Sequence, residues 1–151
     1  MNIFLDNVDI MSTTGPNHFA NKLKKGMESR GHTFGFGQPF DLQLSFIQVS
    51  NRIQNIPLYL RLDGIYFNNK MNFQAQNYMI QMSYEHSAGV IFQTQFNKEL
   101  IFKYFGEHDN YSIIRNGADY GLIDHIRKFK NPVIDRAGNK SNTISSGWTN
   151  K

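Results

Sequence analysis

Short apolar runs alternate with segments of helical periodicity along most of this chain. The runs are residues 2–8, 42–49, 56–64, 88–95 and 111–117. The segments between them place mostly apolar side chains at helical spacing. These are Phe19, Leu23 and Met27, then Phe73, Ile80 and Tyr84 together with the polar Asn77, then Phe96, Leu100 and Phe105. Strands that alternate with helices pair in parallel through right-handed crossovers. The pattern therefore predicts an α/β fold, a three-layer Rossmann-like domain with a mainly parallel sheet.

Length and composition favour one globular domain. The chain has 151 residues, with 13 Phe and 7 Tyr against 19% charged residues, which is typical of a packed core. It contains no cysteine, which excludes disulfides, thiolate nucleophiles and cysteine-bound zinc and fits the cytoplasm. The N-terminal sequence lacks the features of a signal peptide, so we expect a soluble cytoplasmic protein.

The charge pattern is a mild basic bias. Net charge is +4, and the basic residues cluster only at 22–26 and 127–130. Solvated helix faces are the simplest explanation, with a weak contact to an anionic membrane surface as the alternative. We expect no nucleic acid partner. The five histidines show no metal-ligand spacing, so we expect no metal site.

Candidate site residues follow the predicted strands, because ligands bind beyond the carboxyl ends of strands in such sheets. They are Gly15, Pro16 and Asn17; Arg61, Asp63 and Gly64; Gln93 and Thr94; and Asn116, Gly117 and Asp119.

Simpler interpretations exist for each group. Gly15 and Pro16 also suit a plain turn before a helix, with Asn17 or Thr14 as its N-cap. No glycine-rich phosphate-binding motif is present. Arg61 and Asp63 are alternate residues that point to the same side of a strand. They present a cation and a carboxylate to a polar ligand, or they form a surface ion pair at a strand end.

Several motifs taken together resemble a known family. They are "RGH" at 30–32, "LRLDGIYFN" at 60–68, "SAGVIFQTQFNKELIFKYFG" at 87–106 and "IIRNGAD" at 113–119. Their order and spacing over about residues 2–119 resemble the N-terminal half of the family-four glycosyltransferases, so the chain is expected to form one half of a GT-B fold.

The resemblance implies a retaining transferase that moves a sugar from a nucleotide-sugar donor, with no cofactor and no metal held by an Asp-x-Asp motif. In that family the N-terminal domain handles the acceptor, here a glycan, a lipid or another hydroxyl compound. Gly15 with its neighbours then matches a cleft-facing loop, 61–64 a cleft-facing strand end, and 116–119 the turn before the second domain. Asp63 is the candidate catalytic residue, and the other candidates would bind substrate.

The chain is expected to divide near residue 128. We expect the Rossmann-like domain at 1–128, and at 129–151 a linker followed by the first strand of a donor domain or by a C-terminal tail. Lys151 is the candidate contact to the donor phosphates. The paired glutamates, E-x7-E, that the family carries in its donor domain do not occur within 129–151. We therefore expect this chain to be catalytically incomplete without a C-terminal donor domain, in cis or in trans. Within the complete enzyme, Asp63→Ala and Arg61→Ala should lower turnover without unfolding.

Two other functions remain open. One is a stand-alone Rossmann-like or flavodoxin-like binding module with its own ligand site. The other is a non-catalytic remnant or interaction domain that pairs with a separate donor domain.

Overall fold

A computed structural model describes residues 1–12, 15–35, 37, 39–68 and 70–117, together with the backbone of 133–134 and 140–141. The chain divides into two compact units, Met1–Asn116 and Gly117–Lys151. The described strands are β1 (Ile3–Asp6), β2 (Leu42–Phe46), β3 (Leu58–Leu62), β4 (Gly89–Phe92), β5 (Tyr111–Ile113), β6 (Val133–Ile134) and β7 (Lys140–Ser141). The described helices are α1 (Gly15–Glu28), α2 (Phe73–Glu85) and α3 (Gln95–Phe105).

The first unit contains a sheet in the order β1-β2-β3-β4-β5, in which every neighbouring pair is parallel. This confirms the predicted α/β, Rossmann-like architecture. In the second unit, β6 and β7 pair antiparallel within the stretch expected to be a linker.

The chain changes direction across the sheet at β1. After α1, Thr33 lies beside β1, where its carbonyl oxygen accepts from the Ile3 N–H at 2.8 Å and its N–H donates to the Met1 carbonyl oxygen at 2.9 Å. The Asn2 carbonyl oxygen faces the other side and accepts from the Asp41 N–H, just before β2. The chain therefore passes from one side of β1 to the other between α1 and β2.

Helices cover both faces of the sheet. On one face, Ala20 of α1 is buried against Ile3, Leu44 and Phe46. On the other face, α2 and α3 contribute the buried side chains Ile80, Tyr84 and Ile101, which pack on Leu60, Leu62, Val90 and Phe92 of β3 and β4. Burial of each large apolar side chain contributes about 1.5–3 kcal/mol, so these two clusters fix the three-layer arrangement.

A loop takes the place of a helix between β2 and β3. Residues 47–57, all described, contain no helix, and the sheet face beneath them is polar. The buried Asp6 carboxylate accepts from the Ser45 hydroxyl at 2.9 Å and from the N–H groups of Ser50 and Asn51 at 2.9 and 3.0 Å. Gln43 accepts from the Ile53 N–H at 2.8 Å. Because buried polar groups need partners, this network holds the loop on the sheet.

Helix ends follow the local sequence, with two departures from prediction. Thr94 caps α3, and Gly31 and Gly106 adopt positive φ after α1 and α3. Asn17, predicted as an N-cap, instead lies within α1, and its Oδ1 accepts from the Asp9 N–H at 3.0 Å. The prediction that Phe96 faces the core is wrong, because its side chain is 66% exposed.

Gly89 is expected to tolerate no side chain. A Cβ there would lie 2.8 Å from Asn110 Nδ2 and 2.9 Å from the Tyr59 ring, so Gly89→Ala should lower the free energy of unfolding by about 1–3 kcal/mol. Gly26→Ala is the matched control, since its Cβ would meet nothing closer than 3.7 Å within α1. It should stabilise by about 0.5–1 kcal/mol in urea unfolding. Equal effects of the two substitutions would contradict the packing described here.

Tyr84 couples stability to alkaline pH. Its hydroxyl donates to the Gly106 carbonyl oxygen at 2.8 Å. Burial, with a smaller contribution from the negative charge of Glu107, raises the pKa of Tyr84 from 10.0 to about 12. The folded protein therefore holds this proton more tightly than the unfolded chain. The resulting stabilisation is fully present below pH 10 and is lost as pH rises toward about 12.

Tyr84→Phe tests this coupling. The substitution should lower the free energy of unfolding by about 1 kcal/mol near neutral pH, because one hydrogen bond is lost. It should also reduce the decline in stability between pH 10 and about 12, measured by urea unfolding at several pH values. Tyr78→Phe, at an exposed position of α2, is the control and should keep the full decline. An undiminished decline in Tyr84→Phe would refute the coupling.

Candidate functional site

The carboxyl ends of the central strands bring most of the predicted site residues to one edge of the sheet. Arg61 is the fourth residue of β3, and Asp63 directly follows that strand. Gln93 and Thr94 follow β4, and Asn116 lies beyond β5, while Gly117 begins the second compact unit. Gly15, Pro16 and Asn17 form the first turn of α1 at the same edge. Asp119 and Lys151 lie outside the described residues.

Arg61 is the buried centre of this edge, with 2% of its surface exposed. Its Nη1 donates to Asp63 Oδ1 at 2.5 Å, and its Nη2 donates to Asn116 Oδ1 at 2.6 Å. The guanidinium carbon lies 3.7 Å from the centroid of the Phe19 ring on α1. One side chain thus connects α1 with the ends of β3 and β5, using the planar fork that only arginine offers.

The guanidinium is not fully satisfied. Its Nε is buried and has no hydrogen-bond partner within the part of the chain that the structure describes. The predicted pair with Asp63 does form, but its cation is buried and is not part of a surface ion pair. Burial also revises the expectation for Arg61→Ala. Removing so large a buried side chain should cost about 2–5 kcal/mol and endanger the fold.

Asp63 is the accessible member of the pair. Its side chain is 26% exposed, and only Oδ1 is engaged by Arg61. Oδ2 accepts no hydrogen bond from any residue that the structure describes. The Arg61 guanidinium fixes the orientation of the carboxylate through Oδ1, and the second oxygen keeps its capacity to accept from a ligand hydroxyl or amine.

A buried asparagine on α3 holds the backbone at Asp63. The Asn97 Nδ2 donates to the Asp63 carbonyl oxygen at 2.8 Å. Thr94 in turn binds Asn97 twice. Its hydroxyl donates to Asn97 Oδ1 at 2.6 Å and accepts from the Asn97 N–H at 3.1 Å. The Thr94 hydroxyl therefore makes both of its hydrogen bonds to Asn97 at the start of α3. The predicted contact between Thr94 and a substrate would use another group of this residue.

A second buried asparagine holds the loop that follows β3. The Tyr66 N–H donates to Asn77 Oδ1 at 2.9 Å, and Asn77 Nδ2 donates to the Tyr66 carbonyl oxygen at 2.6 Å. Asn77 and Asn97 are site-forming residues that sequence reasoning did not identify. The available signal was a lone amide on a helical face of otherwise apolar residues, which indicates a buried hydrogen bond to backbone.

The described residues contain neither a candidate metal-ligand group nor a candidate membrane span. No group of three or more His, Asp or Glu side chains lies close enough to hold a metal ion in that part of the chain. Among the same residues, no helix is long and apolar enough to cross a membrane.

Comparisons of the chain with protein-family models, with curated proteins and with solved structures find no match. A proposal about function therefore rests on the polar groups at the carboxyl edge and on the order of the sequence motifs.

Arg61→Lys tests the central role of the guanidinium. An ammonium group cannot bridge Asp63 and Asn116 while stacking on Phe19, so the free energy of unfolding should fall by about 1–3 kcal/mol. The control is Arg30→Lys, at an exposed position after α1, with an expected change under about 0.5 kcal/mol. Both are measured by urea unfolding. An Arg61→Lys protein as stable as the control would show that the fork geometry contributes nothing.

Proposed function

We propose that this chain is the acceptor-side domain of a retaining, nucleotide-sugar-dependent glycosyltransferase, which acts together with a donor-binding domain. The observation that carries the proposal is the Asp63 carboxylate at the carboxyl edge, oriented by a buried arginine and open to a ligand on its second oxygen. Acceptors in this class of reaction are hydroxyl compounds, and a hydroxyl is what this oxygen can bind.

The chemistry assigns a limited task to this domain. Glycosyl transfer needs the acceptor hydroxyl held in attack geometry and the departing diphosphate stabilised by positioned cations and dipoles. Asp63 supplies the first requirement, because a carboxylate accepts a hydrogen bond from the hydroxyl and aims its oxygen. Arg61 acts as a positioning residue, since its Nη groups already bind Asp63 and Asn116. Contacts to the donor are assigned to the second domain, in cis or in trans.

The placement of the motifs also supports the proposal. The segments 60–68, 87–106 and 113–117 carry the resemblance to family-four glycosyltransferases, and each contains the carboxyl end of one of three neighbouring parallel strands. In open α/β sheets that edge is where ligands bind. The same residues thus carry both the resemblance and the polar cluster.

Sugar transfer is best assayed with the native gene product, captured from its source with an antibody to residues 1–116. This procedure retains a donor-binding domain in the same or in a partner chain. The product is incubated with UDP-, GDP-, ADP- and dTDP-sugars and with glycan and lipid acceptors. We expect a product whose anomeric configuration, read by NMR, matches that of the donor.

In protein shown to be folded by thermal unfolding, since the change leaves the buried Arg61 without its carboxylate, Asp63→Ala should reduce kcat/KM for this transfer by about 10- to 100-fold, because a hydrogen bond to a charged group contributes about 1.5–3 kcal/mol. Asp109→Asn is the control. It removes an exposed carboxylate before β5, at the opposite edge of the sheet, and should leave kcat/KM unchanged. Unchanged kinetics in Asp63→Ala would remove Asp63 from the site.

Other outcomes would overturn the proposal itself. Inverted products would exclude a retaining transferase. Tight binding of flavin or nicotinamide dinucleotide by the chain alone, with no sugar transfer by the native product, would instead establish a stand-alone binding module.

A further inference from the structure

The outer edge of β1 is paired only at its start. Thr33 binds this edge through the Ile3 N–H and the Met1 carbonyl oxygen. A parallel strand that continued from Thr33 would place Gly35 and Gly37 next along the edge, but neither glycine pairs with β1. Beyond Ile3, no described residue forms a main-chain hydrogen bond with this side of the strand.

The side chain of Asn2 turns the chain away from β1. Its Nδ2 donates to the carbonyl oxygens of Gly37 and Pro39, at 3.1 and 2.8 Å. Its Oδ1 lies 3.3 Å from the position that a Cβ would take at Gly35, so a side chain there would crowd Asn2. The segment after Thr33 is thereby drawn across the beginning of β1, and the remainder of the edge stays open.

Unpaired main-chain groups line the open part of this edge. Alternate residues of a strand direct their N–H and C=O groups to opposite neighbours. Ile3 bonds outward to Thr33, so the main-chain groups of Leu5 also point outward, away from β2. The Leu5 N–H and the carbonyl oxygens of Ile3 and Leu5 have no main-chain partner among the described residues. Such a row of groups is a template for another strand.

An apolar groove lies beside the same edge. Its volume is about 100 Å³, and its lining includes Ile3, Leu5, Val8, Ile10 and Phe34, with Lys24 of α1 as the charged member. An apolar cavity of about 150 Å³ can hold benzene. The smaller groove therefore suits one aliphatic side chain.

Lys24 gives the groove a positive rim. Its Nζ lies 3.7 Å from Glu28 Oε1, beyond hydrogen-bonding distance, and its side chain is 28% exposed. Lys22 and Lys25 add positive charge to the same helix, and Glu28 is its one acidic residue. This charge favours a carboxylate in whatever occupies the groove.

Together these features favour a peptide strand over other occupants. A fatty acid could fill the groove and pair with Lys24, but it offers no row of partners to the main-chain groups of Ile3 and Leu5. A second copy of this chain could pair edge to edge with them. That symmetric pairing would bring the lysines of both α1 helices to one interface, and like charges juxtaposed across an interface are unfavourable.

We propose that the open edge of β1 binds an extended segment of a partner protein by β-strand addition. The main chain of the segment pairs with Ile3 and Leu5, and an aliphatic side chain enters the groove. A carboxylate two residues along, on the same face of the added strand, pairs with Lys24. The inference is independent of the proposed function, because none of these residues belongs to the acceptor site.

Amide chemical-shift mapping on the full 151-residue chain tests this binding with a defined peptide. The probe is Ac-Ser-Thr-Val-Thr-Glu-Thr-Ser-NH2, in which valine and glutamate share one face of a strand. We expect saturable shifts at 3–5, 8–10 and 34–35. Replacing the valine by serine should weaken binding by about 5-fold or more, because the groove then receives no aliphatic group.

Peptide N-methylation identifies pairing through the main chain. One version of the probe is methylated on the nitrogens of the three threonines, and the other on those of valine and glutamate. Only one of these alternate sets can face β1, so one version should lose about 10-fold or more in affinity and the other should bind nearly as well as the probe.

A charge exchange identifies the groove. Lys24→Glu should weaken binding of the probe by about 2- to 5-fold and strengthen binding of the peptide with lysine in place of glutamate by a similar factor. Lys25→Glu makes the same charge change at the next residue of α1, outside the groove lining, and should alter neither affinity. Thermal unfolding confirms that both variants are folded.

Several results would overturn the inference. They are no saturable shifts at millimolar peptide, equal effects of the two N-methylated versions, and equal responses of Lys24→Glu and Lys25→Glu. Concentration-dependent dimerisation through the same amides, without peptide binding, would assign the edge to a second copy of this chain. Shifts of these amides by decanoate alone would assign the groove to a lipid.

Discussion

A single buried guanidinium organises the carboxyl edge of this domain. Arg61 binds the carboxylate of Asp63, the amide oxygen of Asn116 and the face of the Phe19 ring, so it connects the ends of β3 and β5 with the first turns of α1. A buried charge is tolerated only when it is paired, and the pairing fixes the partners in turn. The orientation of Asp63, and with it the hydroxyl-binding chemistry proposed for this edge, depends on that constraint.

Two buried asparagines hold the loop after β3 through side-chain hydrogen bonds to its backbone. Asn77 and Asn97 are buried on α2 and α3, and their amides bind the backbone at Tyr66 and Asp63. Near β1 and β2, Asp6 and Gln43 hold the loop at 50–53 in a comparable way. Side-chain hydrogen bonds to backbone therefore fix the loops at the carboxyl edge, while apolar packing fixes the layers beneath. At this edge the second oxygen of Asp63 accepts no hydrogen bond from the described residues.

The sequence predicted the layers well and the loop contacts poorly, for a physical reason. Apolar periodicity is a local signal, and it located five strands, three helices and the edge that carries Arg61, Asp63 and Asn116. Phe96 was misplaced because its spacing from Leu100 suits a buried face, whereas the buried positions of α3 are Asn97 and Ile101. The partners of Asn77 and Arg61 lie 11 and 55 residues away, and nothing in local spacing specifies such contacts. Apolar periodicity assigns charged residues to the exposed face, so it did not predict that Arg61 is buried.

Amide chemical-shift mapping on the full chain would test most directly whether the carboxyl edge is an acceptor site. Titration with a hydroxyl acceptor that the native product glycosylates is expected to shift amides at 63–68 and 94–97 and to leave those at 86–88 and 107–110, before β4 and β5, unchanged. Shifts confined to the opposite edge, or no shifts with that acceptor, would contradict an acceptor site at the carboxyl edge.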